Sequence, residues 1–287
     1  MREPPTRVLR HDSEHGCWEL VLGRPDRRLR GLVHEYEGYV ESGSPSPVLR
    51  QEVPSVHVPL ILNFGARWRV APSADRSDTS ERRDSFVAGL YESSSFVVAE
   101  GAASCIQVDF TPIGAHLFFG VPMHELANRV VDADDVLGRD ANLIARLEAA
   151  PTWVARFALL DTVIASRVGL ARRPAPEILW AWRALEHTNG AVRVGTLAAK
   201  TGRSRRHLIA GFREHVGLAP KTAARIIRFG RAVDLLQQRS ELSFVELAQE
   251  CGYFDQAHLN RDFREFAGTT PRELAARVIP DGGVLGA

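Results

Sequence analysis

The chain has 287 residues, 45% hydrophobic and 25% charged, with a net charge of +1. This is enough for one or two domains with real cores, and no stretch reaches the roughly 18 uncharged apolar residues of a membrane-spanning helix. Three cysteines far apart (Cys17, Cys105, Cys251) argue against a CxxC zinc site and a disulfide framework, and fit a reducing cytoplasm.

The opening MREPPTRVLRHDSEHG is charged and has no apolar core, so no secretory leader is expected. Up to about Phe110, short runs rich in Val, Ile and aromatics are broken by Gly, Pro and Ser. Strands are predicted at Trp18–Leu22, Val56–Phe64, Phe86–Leu90, Phe96–Ala99 and Ile106–Phe110. Ser42–Pro47 and Ala74–Asp84 read as loops, the second as a mobile one. Many short strands suggest a sandwich or small barrel. From Pro112 the period shifts toward 3.6, predicting helices at Met123–Val130, Ala141–Ala149 and Thr152–Val168. The last carries a stripe of Trp153, Phe157, Leu160 and Ile164, which must pack within the chain or against a second copy. Ala171–Pro176, with two prolines and no period, reads as a linker.

Charge is unevenly distributed. Glu177–Arg277 holds 16 basic and 11 acidic residues, and the remainder holds 20 basic and 24 acidic. A local basic excess attracts phosphates even in a nearly neutral molecule.

That region contains an internal repeat. Leu197-Ala198 and Gly202 match Leu247-Ala248 and Gly252 at an offset of 50. Leu208, Phe212, Arg213, Glu214, Gly217 and Pro220 match Leu259, Phe263, Arg264, Glu265, Gly268 and Pro271 at an offset of 51. The single slip falls just after the glycine, where a turn absorbs it. Each copy has helix-turn-helix logic: a small alanine lets two helices cross closely, and glycine accepts positive φ at the sharp turn. Ser204 and Asp255 are placed to N-cap the second helix. Ser243-Phe-Val-Glu246 and Thr270-Pro-Arg-Glu273 are capping boxes. Pro220 starts a helix over Lys221–Gln238 that joins the copies, about 27 Å long. Such a helix can hold two reading helices about one DNA turn, ~34 Å, apart. Its basic positions are Lys221, Arg225, Arg228 and Arg231.

Subtracting the inward face leaves Arg205, Arg206, His207, Ala210 and Arg213 in copy one, and Gln256, Ala257, Asn260, Arg261 and Arg264 in copy two. Arginine reads guanine, and Gln or Asn reads adenine, through paired hydrogen bonds in the major groove. Arg205, Arg206, Gln256 and Asn260, near the helix starts, are the expected base readers. Arg213, Arg261 and Arg264 are the expected phosphate contacts.

These residues resemble the AraC/XylS family of transcription regulators over roughly the last 100 residues. The second copy, Ala248…Cys251-Gly-Tyr-Phe…His258-Leu…Arg261…Phe263…Gly268…Thr270-Pro271-Arg272, is close to the family signature. In copy one, Ala210 stands where the family commonly has arginine. The resemblance implies a seven-helix DNA-binding domain with a central linker helix, and a separate amino-terminal sensing or dimerisation domain, often a cupin-like β-barrel. Gln107–Ala115 and Val121–Leu126 are similar to the end of such domains.

An enzymatic β domain is the alternative: a cupin-like metal site or a reactive cysteine, giving a bifunctional enzyme–regulator. The ten histidines are scattered, and His34-Glu-Tyr-Glu37 reads as an exposed polar strand face rather than a metal site. Neither Cys17 nor Cys105 has a sequence neighbour that would depress its pKa, and Cys251 sits in the helix core beside Gly252. Candidate effector-lining residues are Trp18, Tyr36, His57, Leu60, Leu62, Phe64, Phe86 and Phe96, each equally readable as core.

The expectation is an α+β protein that is not an enzyme. A β-rich sensing domain spans 1–122, as a cupin-like β-barrel or sandwich. A helical segment at 123–170 is open to dimerisation, and a linker covers 171–176. A double helix-turn-helix domain spans 177–278, followed by a tail at 279–287. Double-stranded DNA is the expected partner. A small-molecule effector, RNA polymerase and a second copy of the chain are further partners left open. No metal, cofactor or membrane is expected, and the location is cytoplasmic, with the nucleoid.

Overall fold

The computed structural model describes residues 6–13, 16–42, 49–71, 81–138, 142–239, 242–279 and 283–285. The strands, in chain order, are β1 (Thr6–Ser13), β2 (Gly16–Gly23), β3 (Val33–Ser42), β4 (Arg50–Glu52), β5 (Val58–Asn63), β6 (Trp68–Ala71), β7 (Glu81–Arg83), β8 (Phe86–Ala88), β9 (Ser95–Ala99), β10 (Ser104–Phe110), β11 (Val130–Asp132), β12 (Val278–Ile279) and β13 (Gly283–Leu285). All pair antiparallel, in two sheets ordered β1-β2-β3-β10-β5-β8-β11 and β12-β13-β4-β9-β6-β7. Residues directly opposite each other share a face, so the register fixes which side chains meet. Ile61, Trp68, Val70, Phe86 and Cys105 form an apolar cluster between the two sheets. The other face of the larger sheet carries Tyr36, Leu60, Leu62, Ile106 and Val108 into the main core.

Helices cover that second face. α1 (Pro112–Phe119) is started by Thr111, whose hydroxyl accepts from the Gly114 N–H, and is stopped by Gly120 at φ 73°. α2 (Ala133–Leu137), α3 (Leu143–Ala149) and α4 (Trp153–Leu170) follow. Phe157, Leu160 and Ile164 of α4 are buried in the main core. The Trp153 ring lies on Gly38 of β3, and the Phe157 ring lies on Gly23 of β2. The apolar stripe of α4 is therefore spent on its own sheet. A dimer through that face would require it to leave the core.

The C-terminal region is seven helices among the described residues: α5 (Pro176–His187), α6 (Val194–Thr201), α7 (Arg205–His215), α8 (Pro220–Gln238), α9 (Phe244–Glu250), α10 (Gln256–Ala267) and α11 (Pro271–Ala275). Both expected capping boxes form, at Ser243/Glu246 and Thr270/Glu273.

Four expectations need correction. Met123–Val130 is not a helix: a single 3-10 turn, Met123–Glu125, leads to β11, which pairs with β8. The β domain thus runs past residue 122, to Asp132. Glu81–Arg83, read as loop, pairs with β6, whereas 72–80 lies outside the described residues. The expected tail contains β13, whose Val284 and Leu285 pair with Gln51 and Arg50 of β4. The physical reason is common to β7, β11 and β13. Two- or three-residue strands draw their stability from a partner strand, and carry too little pattern of their own to be read.

Candidate DNA-reading surface and its junction with the β domain

The two copies build the same local structure. α6 ends at Gly202, φ +65°, and the turn after α9 contains Gly252, φ +73°. Both lie in the left-handed region that glycine enters without penalty. Ser204 Oγ then accepts the His207 N–H at 3.2 Å, and Asp255 Oδ1 accepts the His258 N–H at 2.7 Å, starting α7 and α10. Leu208, Phe212, Leu259 and Phe263 are each 0% exposed. These four anchors fix which face of each helix is left outward.

The outward residues are the expected ones. Arg205, Arg206, His207, Ala210 and Arg213 are exposed on α7. Ala257, Arg261 and Arg264 are exposed on α10, with Gln256 and Asn260 partly buried. Among the described residues, none of Arg205, Arg206, Arg213, Arg261 and Arg264 is held in an ion pair. His207 differs: its Nε2 lies 3.5 Å from Glu177 Oε1, which also takes Arg203 Nε at 2.8 Å. It belongs to a tie between α5 and the α7 entrance rather than to the free face.

The basic residues of α8 are largely internal struts. Arg225 Nη2 reaches Asp262 Oδ1 at 2.8 Å, and Arg225 Nη1 reaches Glu265 Oε1 at 2.8 Å. Its guanidinium also covers the Phe266 ring. Asp262 is 1% exposed, and its second oxygen has no hydrogen-bond partner among the described residues. The carboxylates hold the Arg225 pKa up, and Arg225 holds the Glu265 carboxyl below its ordinary value. Arg228 donates to the Gly190 carbonyl at 3.3 Å, and Arg231 lies 4.0 Å from Glu250. The spacing of Asp262 and Glu265, three apart on one flank of α10, was the available sequence signal for the Arg225 strut.

The β domain touches both α7 and α10 at their C-terminal ends. Gln51 Nε2 donates to the Ala267 carbonyl at 2.8 Å, and Ser94 Oγ donates to the Phe266 carbonyl at 3.1 Å, satisfying the end of α10. At the end of α7, His215 Nδ1 lies 3.1 Å from His116 Nε2, while His116 Nδ1 lies 3.0 Å from the Val121 carbonyl. A carbonyl only accepts, so His116 carries its proton on Nδ1, and its Nε2 accepts from His215. Burial, then the neighbouring His116, hold the His215 pKa below its ordinary 6.5, against a smaller opposing pull from Glu214. A histidine with a depressed native pKa contributes fully above its unfolded value, and that contribution is lost as pH falls through the native one. We therefore expect the α1–α7 contact to loosen as the pH falls below the ordinary histidine value of 6.5. Amide exchange at the end of α7 should rise over this range relative to α8, and an unchanged ratio would contradict it.

The effector-lining candidates do not share one cavity. Trp18 and Phe86 face the space between the sheets, where Phe86 packs with Ile61 and Trp68, and the Arg50 guanidinium lies over Trp18. Tyr36, Leu62 and Phe64 face the helices. Tyr36 is fully buried, donates to Asp161 Oδ1 at 2.9 Å and stacks on Phe157, while Phe64 lies under Arg156. Leu60 and Phe96 are buried core residues as well. His57 stacks on His34 at 4.3 Å, and burial, then His34, push its pKa down to about 4.

The His34–Glu37 strand is exposed at His34, whereas Glu35 and Glu37 on its other face are only partly exposed. Burial, then repulsion from Asp109, push the Glu37 carboxyl up to about 8. Burial, opposed by the Gln107 hydrogen bond, pushes Asp109 up to about 7. Sequence reasoning missed this pairing because β3 and β10 meet only in the fold, where Glu37 opposes Gln107 and Glu35 opposes Asp109.

All three cysteine thiols are held above their ordinary value. Burial pushes Cys105 up to about 12 and Cys251 up to about 11, and the Asp12 hydrogen bond raises Cys17. Among the described residues, no three His, Cys, Asp or Glu are grouped to hold a metal, and no helix is long and apolar enough to cross a membrane.

Comparison with known proteins bears on both regions. Residues 197–277 match the family model described as a helix-turn-helix domain, and residues 23–132 match a domain of unknown function, DUF6597. The F1 operon positive regulatory protein of Yersinia pestis is 34% identical over 89 residues, 31% of this chain and 29% of that relative's length. Among solved structures, ToxT of Vibrio cholerae is similar at TM-score 0.47 and 9% identity, covering 85% of this chain and 98% of that one. The DNA-binding domain of AdpA, in complex with a target DNA, is 36% identical, covering 36% of this chain and 90% of that one at TM-score 0.32. The sequence matches, not these structural likenesses, carry the assignment. With its repeat, caps and helix order all in one place, the segment over residues 197–277 is a helix-turn-helix domain, similar in sequence to that of a positive regulatory protein.

Proposed function

We propose that the protein is a sequence-specific transcription regulator that sets α7 and α10 into successive major grooves of double-stranded DNA. The observation carrying this reading is the pair of capped helices, each anchored inward by a Leu and a Phe and presenting unpaired arginines or amides outward. Arg205, Arg206, Gln256 and Asn260 read bases. Arg213, Arg261 and Arg264 hold phosphates, with Ala210 and Ala257 allowing close approach to the groove floor. His207 supports the entrance of α7.

The β domain is proposed to sense a small-molecule effector and to act through the ends of α7 and α10, where its Gln51, Ser94 and His116 make contact. Control then requires an effector that binds the DNA-competent and incompetent arrangements unequally. RNA polymerase and a second copy of the chain are proposed partners of the bound complex, in the cytoplasm at the nucleoid.

Mapping the sites bound in cells, then titrating them in vitro, tests the reading. Arg206→Ala and Gln256→Ala should each relax preference at one base pair by about 1–3 kcal/mol. Arg261→Ala should weaken all sequences alike and flatten the salt dependence by about one phosphate contact. Parent-like discrimination in both of the first two variants would remove the base-reading assignment.

A further inference from the structure

A cleft of about 180 Å³ lies where the β domain, the connecting segment and α5 meet. Its rim carries four arginines from three parts of the chain: Arg28 and Arg30 from the β2–β3 connection, Arg173 from the segment before α5, and Arg183 from α5 itself. The floor is apolar, formed by Trp182 with leucine and isoleucine side chains of both domains.

Its charge is only partly compensated. Arg28 is tied to Asp26 at 3.1 Å. Arg30, Arg173 and Arg183 have no ion-pair partner within 4 Å among the described residues, and Glu186 is the one carboxylate among the lining residues. Like charges converging over an apolar floor repel, and the floor lowers the local dielectric, which strengthens that repulsion. An arrangement of this kind is relieved by an anion whose oxygens meet several guanidinium forks at once.

We propose that the cleft binds a compact, multiply charged anion: a small molecule bearing a phosphate or several carboxylates. With Asp26 tied to Arg28 and Glu186 beside Arg183, a single carboxylate would still leave one of the four arginines unneutralised, so higher charge is favoured over a long apolar chain. Because the arginines come from both domains, the bound anion bridges them. It thereby adds to the hold that Gln51, Ser94 and His116 exert on the reading helices. The site stands independently of the DNA-binding reading, and anion binding is measured without DNA.

The full chain is titrated with inorganic pyrophosphate, citrate and acetate, each against potassium chloride at matched ionic strength, by calorimetry and thermal unfolding. Saturable 1:1 binding of pyrophosphate or citrate, with a raised unfolding temperature and no such effect of acetate, is expected. Pyrophosphate alone would assign phosphate as the ligand group, and citrate alone would assign polycarboxylate. The double variant Arg30→Gln/Arg183→Gln should lose at least tenfold in affinity while unfolding like the parent in potassium chloride. Arg146→Gln, at an exposed arginine elsewhere, should bind as the parent does. Three outcomes overturn the proposal: no anion exceeding the chloride control, the double variant binding as tightly as the parent, or the double variant losing duplex DNA while keeping pyrophosphate. The last would assign these arginines to the DNA backbone.

Discussion

Replacing Arg225 with alanine is expected to destabilise the C-terminal domain by about 3–5 kcal/mol, the range for stripping one partner from a buried ion pair. Asp262 is 1% exposed and depends on this guanidinium, which also binds Glu265 and covers the Phe266 ring. Without Arg225 the buried carboxylate has no counter-charge, and α10 loses its tie to α8. The damage should be specific to the second copy: urea unfolding monitored at α10 should shift far more than at α7. The double variant Arg225→Met/Asp262→Leu should recover most of the loss, because removing both charges removes the desolvation penalty along with the attraction. A loss below about 1 kcal/mol for Arg225→Ala would place the pair among surface ion pairs, and a double variant no better than the single one would refute the buried-charge explanation. DNA binding should fail in the single variant even though Arg225 is committed to Asp262 and Glu265, since these bonds hold α10, which carries Gln256 and Asn260.

Gly114→Ala is expected to cost about 3 kcal/mol, at the upper end of ordinary overpacking. A β-carbon at this position in α1 would lie 1.8 Å from the Leu32 carbonyl oxygen and 2.6 Å from its carbon. Both are backbone atoms, and the Leu32 carbonyl already accepts from the Thr111 N–H at 2.9 Å, so neither side can yield cheaply. α1 must therefore lift off the sheet. That movement displaces His116 from His215, and so reaches the end of α7. Thermal unfolding gives the stability loss, and amide exchange at the end of α7 gives the transmitted part. Gly120→Ala, at the C-cap of the same helix, supplies a control of a different kind. Its β-carbon would meet nothing within 4 Å, and it should cost only the strain of a φ of +73°. Comparable losses in the two variants would contradict the steric account.

Legibility differed between the halves of the chain. The duplicated Leu-Ala, the turn glycines, the caps at Ser204, Asp255, Ser243 and Thr270, and the inward Leu–Phe pairs were all readable, because each acts within a few residues of itself. The outward face followed by subtraction. The same reasoning could not separate Arg225 and Arg228 from the reading arginines, because a basic residue shows its charge in the sequence and its partner only in the fold.

What the linear order of residues determined by itself is the helix-turn-helix pair and its outward face, since capping, turning and 3.6-residue periodicity are local effects. Tertiary structure alone decided that α4 is spent on its own sheet, that residues near the C-terminus return to pair with β4, and that Glu37 meets Asp109 inside the β domain. It alone brought arginines from three separate segments around one cleft. Each of these depends on strand register or domain docking, where residues many positions apart become neighbours and the free energy lies in the contact rather than in either segment.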